Sequence, residues 1–188
     1  MVKLLIVGAG GFGRVVLEHA IKEYNCAFLD DGMEAGTIVD GVPVIGKTSE
    51  LVKWYGEYKG LIVAIGNNKL RERIYEEARG IGYSFPSIIH PSAYISPHAT
   101  LDDGTIILNN AVVQNGAKAG IGLIMNPGTE LHQDSEVGNC VLMYTNSVVR
   151  SLTHVGNRAW IGANATIGTG ITVPDDARIE DGEVLKTI

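Results

Sequence analysis

The sequence predicts a small α/β domain followed by a parallel β-helix of hexapeptide repeats. Two patterns and the segment between them support this prediction. From His90 onward, the last residue of every six-residue block is apolar for sixteen consecutive blocks. The chain opens with a buried-strand pattern, a glycine-rich loop and a helix pattern, in that order. Pro86 and Pro91 lie between the two patterns, and we place the domain boundary between residues 86 and 87.

The hexapeptide repeat defines the second domain, which we expect to span residues 87–188. Besides the apolar last position, the position two residues earlier is mostly small, as at Ala93, Thr129 and Ser135. With 45% hydrophobic residues, sixteen matches in a row have a chance probability on the order of 10⁻⁶ to 10⁻⁵. A β-helix explains the pattern, because each block forms a strand and a turn and both recurrent positions point inward. An ordinary β-sandwich gives no reason for a fixed phase of six.

The first domain, expected at residues 1–86, begins with a glycine-rich loop in a strand–loop–helix context. The loop in KLLIVGAGGFGRVVLEHAIKEY matches G-x-G-x-x-G, and its glycines are Gly8, Gly10, Gly11 and Gly13. Such glycines let backbone N–H groups approach a phosphate at a helix N-terminus. Asp30 and Asp31 end the next strand, where an acid can accept hydrogen bonds from a ribose or a base. These features predict a Rossmann-like nucleotide-binding fold, with an unliganded tight turn as the alternative.

A further strand pattern, LIVAIG, precedes another candidate loop. Gly66, Asn67 and Asn68 follow this strand, at the edge where doubly wound sheets bind ligands. The helix pattern after them carries Arg71 and two further arginines. We interpret these arginines as a solvated helix face and not as a phosphate clamp.

Composition excludes several classes of function. The net charge is −6, the pI is about 5.3, and no block of Lys and Arg indicates a nucleic-acid or anionic-membrane surface. Cys26 and Cys140 are the only cysteines, which suits a reducing compartment and excludes a four-Cys zinc site. The N-terminal apolar run is too short for a signal peptide and leads into the glycine loop. We therefore expect a cytoplasmic protein without a transmembrane segment.

The ordered motifs resemble a known family over nearly the whole chain. They are IVGAGGFGRVVLE, AFLDD, GVPVIG, VAIGNNKLRERIY, IIHPSAYISPHATL and hexads through IGANATIGTGITV. This series resembles the bacterial nucleotide-amino-sugar N-acetyltransferases and sialic-acid O-acetyltransferases of the PglD/NeuD type. The resemblance implies left-handed coiling, a homotrimer with sites between chains, and acetyl-CoA as the acyl donor. It also implies a UDP-linked 4-amino-sugar as the substrate, for bacterial surface glycan synthesis.

The resemblance implies binding roles for individual residues. The substrate phosphates would lie along the four loop glycines, the uridine against Asp30 and Asp31, and the loop 66–68 would border the pocket. The pantetheine arm of acetyl-CoA would pass the coil edges. The residues implied in cofactor binding are Asn126, Ser151, Gly162, Ala163 and Gly168. After the last coil the chain continues as EVLKTI without the family's usual tail, from which weaker coenzyme A binding is expected.

The catalytic motif of the family is displaced by one residue in this chain. The pattern Asn-Thr-Gly/Ser-x-x-x-x-His-Asp/Glu runs here from Asn126 to Asp134, so Gln133 takes the family's His position and His132 precedes it. Acetyl transfer needs a base for the attacking amine and donors for the oxyanion. We predict His132 as the base, Asp134 as the acid behind it, and the Ser151 N–H as an oxyanion donor.

The displacement leaves three hypotheses open, because adjacent side chains in a strand point to opposite faces. The chain transfers acetyl groups with His132, transfers them with another base, or is a catalytically impaired member. An impaired member would bind a sugar nucleotide or serve as an assembly partner. A β-helical zinc carbonic anhydrase needs three converging His residues that this spacing does not provide, so no metal is expected. An NAD-dependent oxidoreductase would explain the glycine loop but not the repeats.

Overall fold

The computed structural model describes residues 1–186. The chain divides into two units, Met1–Ile88 and Ile89–Ile188, whereas the predicted boundary lies between residues 86 and 87. None of the helices in the described part of the chain has the length and hydropathy that crossing a membrane requires.

The first unit contains a five-stranded sheet in the order β3-β4-β2-β1-β5. Strand β1 pairs in parallel with both β2 and β5, β4 is parallel to β2, and β3 is antiparallel to β4. The central strands are buried apolar runs, as parallel sheets covered on both faces require. The strands are β1 (Val2–Val7), β2 (Tyr24–Leu29), β3 (Ile38–Val39), β4 (Val42–Gly46) and β5 (Gly60–Val63).

Helices connect these strands. They are α1 (Gly11–Ala20), a 3-10 turn (Thr48–Glu50), α2 (Leu51–Trp54) and α3 (Asn68–Ile81). The side chain of Asn67 caps α3 by accepting a hydrogen bond from the Leu70 N–H at 3.0 Å. Gly82 ends the helix in the left-handed conformation, with φ of 111°.

The strand order creates a topological switch point beside β1. The chain runs from β1 through β2 to β4 on one side and then returns to β5 on the other side. The loops after β1 and β5 therefore diverge from neighbouring strand ends, which is where open α/β sheets bind ligands.

The second unit is a left-handed parallel β-helix with three faces, and each of the sixteen hexads forms a two-residue strand that ends at its apolar last residue. The first face contains β7 (Tyr94–Ile95), β10 (Val112–Val113), β13 (Glu130–Leu131), β16 (Val148–Val149), β19 (Thr166–Ile167) and β22 (Val184–Leu185). The second contains β8 (Thr100–Leu101), β11 (Lys118–Ala119), β14 (Glu136–Val137), β17 (His154–Val155) and β20 (Thr172–Val173). The third contains β6 (Ile88–Ile89), β9 (Ile106–Ile107), β12 (Ile124–Met125), β15 (Leu142–Met143), β18 (Trp160–Ile161) and β21 (Arg178–Ile179).

One coil of the β-helix takes 18 residues. Leu131 pairs with Val113 one coil earlier and with Val149 one coil later, and all three side chains are fully buried. Of the small residues predicted to face inward, Thr129 and Ser135 are fully buried, and Ala93 at the first coil is partly buried. The Thr129 hydroxyl donates to the Asn126 carbonyl at 2.8 Å, which satisfies a polar group inside the core. The predicted phase of the repeat is thus confirmed strand by strand.

The corners of the coil impose a left-handed backbone at the third position of the hexads. Non-glycine residues occupy this conformation at Asn110, Asp134 and Asn146, with φ of 58°, 56° and 58°. Asn and Asp tolerate it better than other residues that carry a Cβ. The conformation fixes the direction in which each of these side chains leaves the coil.

Candidate functional site

The four glycines of the first loop divide into two pairs. A Cβ on Gly8 would lie 2.8 Å from the Ala64 carbonyl oxygen, and one on Gly13 would overlap the carbonyl of Gly8. These two glycines are required by the close approach of the chain to itself. No atom lies within 4 Å of a Cβ built on Gly10 or Gly11, so these two positions leave open space at the start of α1.

A pocket of about 380 Å³ lies against the glycine loop. One wall comes from the loop and α1, and the other from the segment that enters the β3–β4 hairpin and from the hairpin itself. The lining residues are Ala9, Gly10, Gly11, Arg14, Met33, Ile38, Val39 and Asp40. Apolar side chains on one wall, and the open space beside Gly10 and Gly11 at the start of α1 on the other, suit a ligand with a flat ring and an anionic group.

Both acids after β2 hold loops in place. The Asp30 carboxylate accepts hydrogen bonds from the N–H groups of Ala9 at 2.7 Å and Gly32 at 2.8 Å. Asp31 accepts from the N–H and the hydroxyl of Thr48 at 2.8 and 2.7 Å. Asp30 therefore ties the end of β2 to the glycine loop, and the predicted contact of both acids with a nucleotide stays a prediction.

The structure brings the loop after β5 to the glycine loop. The Ala64 N–H donates to the Val7 carbonyl at 2.8 Å, and the Ala64 carbonyl is the atom that Gly8 approaches closely. Gly66 faces open space, because no atom lies within 4 Å of a Cβ built on it. Asn68, at the start of α3, is buried, with 8% of its surface exposed. The predicted loop 66–68 thus borders the same edge of the sheet as the glycines.

The interpretation of Arg71 as a solvated residue is wrong. Its side chain is fully buried, and its guanidinium donates to the Ile65 carbonyl at 2.7 Å, directly before the loop 66–68. Arg71 lies on the buried face of α3 with Ile74, Tyr75 and Ala78. This i, i+3, i+4, i+7 spacing is the sequence signal that identifies the position as buried. A charged residue there anchors the loop instead of facing solvent.

In the β-helix, His132 points outward next to Glu130. The two residues flank the interior Leu131, so the period-two alternation of a strand turns both side chains to the same outer face. The His132 Nε2 and the Glu130 Oε2 lie 2.9 Å apart, with 25% and 41% of the side chains exposed. Sequence reasoning missed Glu130, although this alternation was available to find it.

The predicted pairing of His132 with Asp134 is not formed. Asp134 occupies the left-handed corner, and its carboxylate lies where a Cβ of Gly116 would be, one coil earlier. Among the described residues, the acid that contacts the imidazole is Glu130. The reason is local: a residue two positions before His132 shares its strand face, whereas one two positions after it has entered the turn.

The remaining predicted residues lie along two edges of the coil. Gln133 is exposed, and its N–H donates to the Gln114 side chain at 3.1 Å. Ser151 and Gly168 follow strands of the first face, as His132 does. Asn126, Gly162 and Ala163 instead follow strands of the third face. The Ala163 N–H is taken by the Asp181 carboxylate at 2.8 Å. On the first-face edge, Gly168 therefore lies two coils after His132, and Ser151 lies one coil after Gln133.

Comparisons with known proteins find relatives of both the α/β unit and the whole chain. Residues 3–78 match the PglD N-terminal domain. The chain is 28% identical over 174 residues to GDP-perosamine N-acetyltransferase of Escherichia coli O157:H7, covering 88% of this chain and 78% of that one. A histidine-to-asparagine mutant of perosamine N-acetyltransferase from Caulobacter crescentus, solved with CoA and GDP-perosamine, superposes with a TM-score of 0.92. That match has 30% identity and covers 98% of this chain and 88% of that chain.

The acetyltransferase domain of PglB from Neisseria gonorrhoeae FA1090, solved with acetyl coenzyme A, gives a TM-score of 0.85 at 33% identity. The match covers 97% of this chain and 94% of that chain. The fold, the hexapeptide β-helix and these matches define an acetyltransferase that uses acetyl-CoA as its acyl donor. The chain belongs to the PglD/NeuD-type family of hexapeptide-repeat acetyltransferases. The family resemblance, the fold class and the acyl donor expected from the sequence are confirmed.

Proposed function

We propose that this protein acetylates the amino group of a nucleotide-linked amino-sugar for bacterial surface glycan synthesis. The family resemblance implies a UDP-linked 4-amino-sugar. The Escherichia coli and Caulobacter crescentus relatives are named for perosamine, and the latter binds GDP-perosamine, which makes a GDP-linked sugar the second substrate class. The pocket beside the glycine loop supports binding of the nucleotide part.

The outward pair of His132 and Glu130 carries the proposal of an active enzyme. The one-residue displacement of the His would be damaging if it turned the imidazole into the core. Here the imidazole faces outward and has a carboxylate on the same face, at 2.9 Å. A base with an acid behind it is therefore retained, with Glu130 replacing Asp134 in the predicted role.

In the proposed mechanism, the Nε2–H of His132 donates a hydrogen bond to the Glu130 carboxylate, which leaves Nδ1 with the free lone pair. The substrate amine attacks the thioester carbonyl of acetyl-CoA and forms a C–N bond. His132 takes the proton that the nitrogen loses. The Ser151 N–H is the proposed donor to the tetrahedral oxyanion. The C–S bond then breaks, the acetylated amine is released, and the coenzyme A sulfur leaves as a thiol after receiving a proton from His132.

Thiol release from acetyl-CoA with a panel of UDP- and GDP-linked amino-sugars tests this function. The substitution His132→Ala should lower kcat by about 10²- to 10⁴-fold while leaving the affinity for coenzyme A unchanged, because general-base catalysis contributes a factor of that size. The matched control is Gln133→Ala, which removes the exposed neighbour but not the base. Normal activity in His132→Ala would remove the base assignment.

The second candidate is a catalytically impaired, sugar-nucleotide-binding protein, favoured by the exposed Gln133 at the family's His position. The same assay distinguishes it. A silent wild type that gains thiol release through Gln133→His would be a member that has lost the chemistry. Nucleotide titration separates both candidates from an oxidoreductase, because binding of UDP or GDP without binding of NAD excludes hydride transfer.

We also propose a homotrimer with the site completed by a neighbouring chain. The outer column of the first face supports this assembly, because it presents apolar side chains next to Glu130. Tyr94 is 59% exposed and Val184 is 52% exposed, with Val112 and Val148 half-buried between them. Light scattering should give the mass of three chains of 20.1 kDa. A monomer of unchanged activity would exclude a shared site.

A further inference from the structure

An ion pair closes one side of the pocket beside the glycine loop. The Nε of Arg14 lies 2.7 Å from the Oδ2 of Asp40, and its Nη2 lies 3.1 Å from the Oδ1. The guanidinium thus meets the carboxylate with two parallel hydrogen bonds. Arg14 belongs to the first turn of α1, and Asp40 belongs to the turn of the β3–β4 hairpin. The pair connects the helix that follows the glycine loop to the opposite wall of the pocket.

The hairpin presents Asp40 in a conformation that few residues with a Cβ adopt. Asp40 and Gly41 have φ of 46° and 82°, as the two central residues of a tight hairpin turn require. The turn is short because β3 and β4 pair directly on either side of it, Val39 with Val42. The carboxylate is therefore held toward α1 by the backbone of the hairpin and not by a flexible loop.

The guanidinium of Arg14 has a fork geometry that matches a phosphate as well as a carboxylate. The side chains of Arg14 and Asp40 are 56% and 42% exposed, and exposed ion pairs contribute little to stability. Replacement of the carboxylate by a phosphate at this guanidinium therefore costs little free energy. The hydrogen bond from Arg14 lowers the pKa of Asp40, so the carboxylate is ionised at neutral pH and competes with an anionic ligand.

The space beside the pair fits such a ligand. The pocket measures about 380 Å³, within the range of roughly 300–1,000 Å³ typical of small-molecule sites. Gly10 and Gly11 leave their side of it open. Met33 and Ile38 supply apolar surface on the hairpin side. A diphosphate against the loop would lie within the same pocket as the Arg14 guanidinium.

We propose that Arg14 binds the diphosphate of the nucleotide sugar, and that Asp40 holds the Arg14 guanidinium at the pocket until the diphosphate replaces it. This inference rests on the proposed function, because it assigns a residue to the substrate of that function. Substrate binding then breaks the contact between α1 and the hairpin turn. Asp40 acts as a positioning residue and as an internal competitor of the substrate.

Calorimetric titration with UDP and GDP, and with uridine and guanosine as phosphate-free probes, tests the proposal. Arg14→Gln should weaken diphosphate binding by about 10- to 100-fold and leave nucleoside binding unchanged, since a charged hydrogen bond is lost. Arg14→Lys keeps the positive charge but loses the paired hydrogen bonds of the guanidinium. Its diphosphate affinity should lie between that of the wild type and that of Arg14→Gln. The matched control is Arg73→Gln, an exposed arginine of α3, which should bind as the wild type does.

The substitution Asp40→Asn distinguishes two roles of Asp40: competition with the diphosphate for Arg14, and simple positioning of the Arg14 side chain. The substitution removes the competing charge, so diphosphate affinity should rise about 2- to 10-fold. Weaker binding, equal to that of Arg14→Gln, would show that Asp40 must stay paired and would overturn the exchange. Equal diphosphate affinity in Arg14→Gln and Arg73→Gln would overturn the Arg14 assignment, as would a wild type that binds neither diphosphate. The titrations need no turnover, so a wild type that binds diphosphates but releases no thiol refutes acetyl transfer alone.

Discussion

The glycine loop of the α/β unit and the His132 corner of the β-helix obtain their geometry in different ways. The glycine loop contacts segments far away in the sequence: Gly8 approaches Ala64, and the Ala9 N–H donates to Asp30. At the His132 corner, the partners are two residues away, at Glu130, or one coil away, at Gln114 and Val149.

This difference determines which substitutions each region tolerates. In the α/β unit, a local motif depends on loops that only the complete fold brings together. In the β-helix, the repeat fixes every neighbour in advance, so a change at one position affects the same strand and the coils directly above and below it. The two tryptophans permit separate measurements, because Trp54 lies in the first unit and Trp160 in the second. A variant that keeps one of them reports the unfolding of one unit.

The largest expected effect is that of Gly13→Ala in the α/β unit. Its new methyl group would overlap the backbone of Gly8, which has no room to retreat beside Ala64. We expect a loss of about 3 kcal/mol in the free energy of unfolding, measured by denaturant titration with Trp54 fluorescence in a Trp160→Phe background. The matched control is Gly10→Ala, which meets open space and should stay within about 0.5 kcal/mol of the wild type. Equal losses in both variants would refute the division of the glycines into two pairs.

The second effect concerns neighbouring valines of one strand in the β-helix. Val149 is fully buried in the core, whereas Val148 points outward and is half-buried. Val149→Ala should cost about 2 to 3 kcal/mol, as two lost methyl groups and a cavity predict. Val148→Ala should cost less than about 1 kcal/mol in the monomer. Denaturant titration with Trp160 fluorescence in a Trp54→Phe background measures both, and a reversed order would contradict the strand phase.

The third effect compares the two acids beside His132. Glu130→Gln should lower kcat by about 10- to 100-fold, because a hydrogen bond to a charged group contributes roughly 1.5 to 3 kcal/mol. Asp134→Asn should change kcat less than about 3-fold, since its carboxylate lies over Gly116. Thiol release at saturating substrate measures both variants. A larger loss of kcat in Asp134→Asn than in Glu130→Gln would instead support Asp134 as the acid that acts with His132.

The smallest effect is a pH dependence confined to the α/β unit. Burial raises the pKa of the Cys26 thiol to about 11. An unfolded thiol ionises near its ordinary pKa of about 8.5, so the stability from keeping this thiol neutral is present below that pH. It is lost as the pH rises toward 11. The unfolding midpoint of the Trp54 unit should fall over this range less steeply in Cys26→Ala than in the wild type, whereas Cys140→Ala should keep the wild-type slope.

The sequence alone predicted the β-helix at the level of single residues. Every strand from Tyr94–Ile95 to Val184–Leu185 ends where the hexad phase requires, because the pattern and the structure share one period. The same period was sufficient to identify Glu130 as the neighbour of His132. The motif comparison instead pointed to Asp134, since a family pattern records sequence order and not the direction of side chains.

The α/β unit shows why the remaining details could not be predicted. The glycine motif indicated the loop, but the constraint on Gly8 depends on Ala64, more than fifty residues away, and the constraint on Gly13 depends on its close approach to the Gly8 carbonyl. The bond between Arg14 and Asp40 requires knowledge of how the hairpin turns toward α1. Burial of Arg71 was within reach, since its spacing from Ile74 and Tyr75 is that of a helix core face. The interpretation of Arg71 as solvent-exposed gave more weight to its charge than to its position in the helix pattern.

The 18-residue register makes the β-helix a molecular ruler. Moving a side chain by one whole coil would displace it about 4.8 Å along the axis and leave its outward direction unchanged. Insertion of a single residue would instead turn every later side chain to the wrong side. The position of a side chain along the axis can therefore change without a change in the direction in which it points. The distance between an acetyl donor and an acceptor amine can be adjusted in whole steps by adding or deleting coils, without redesign of the residues that do the chemistry.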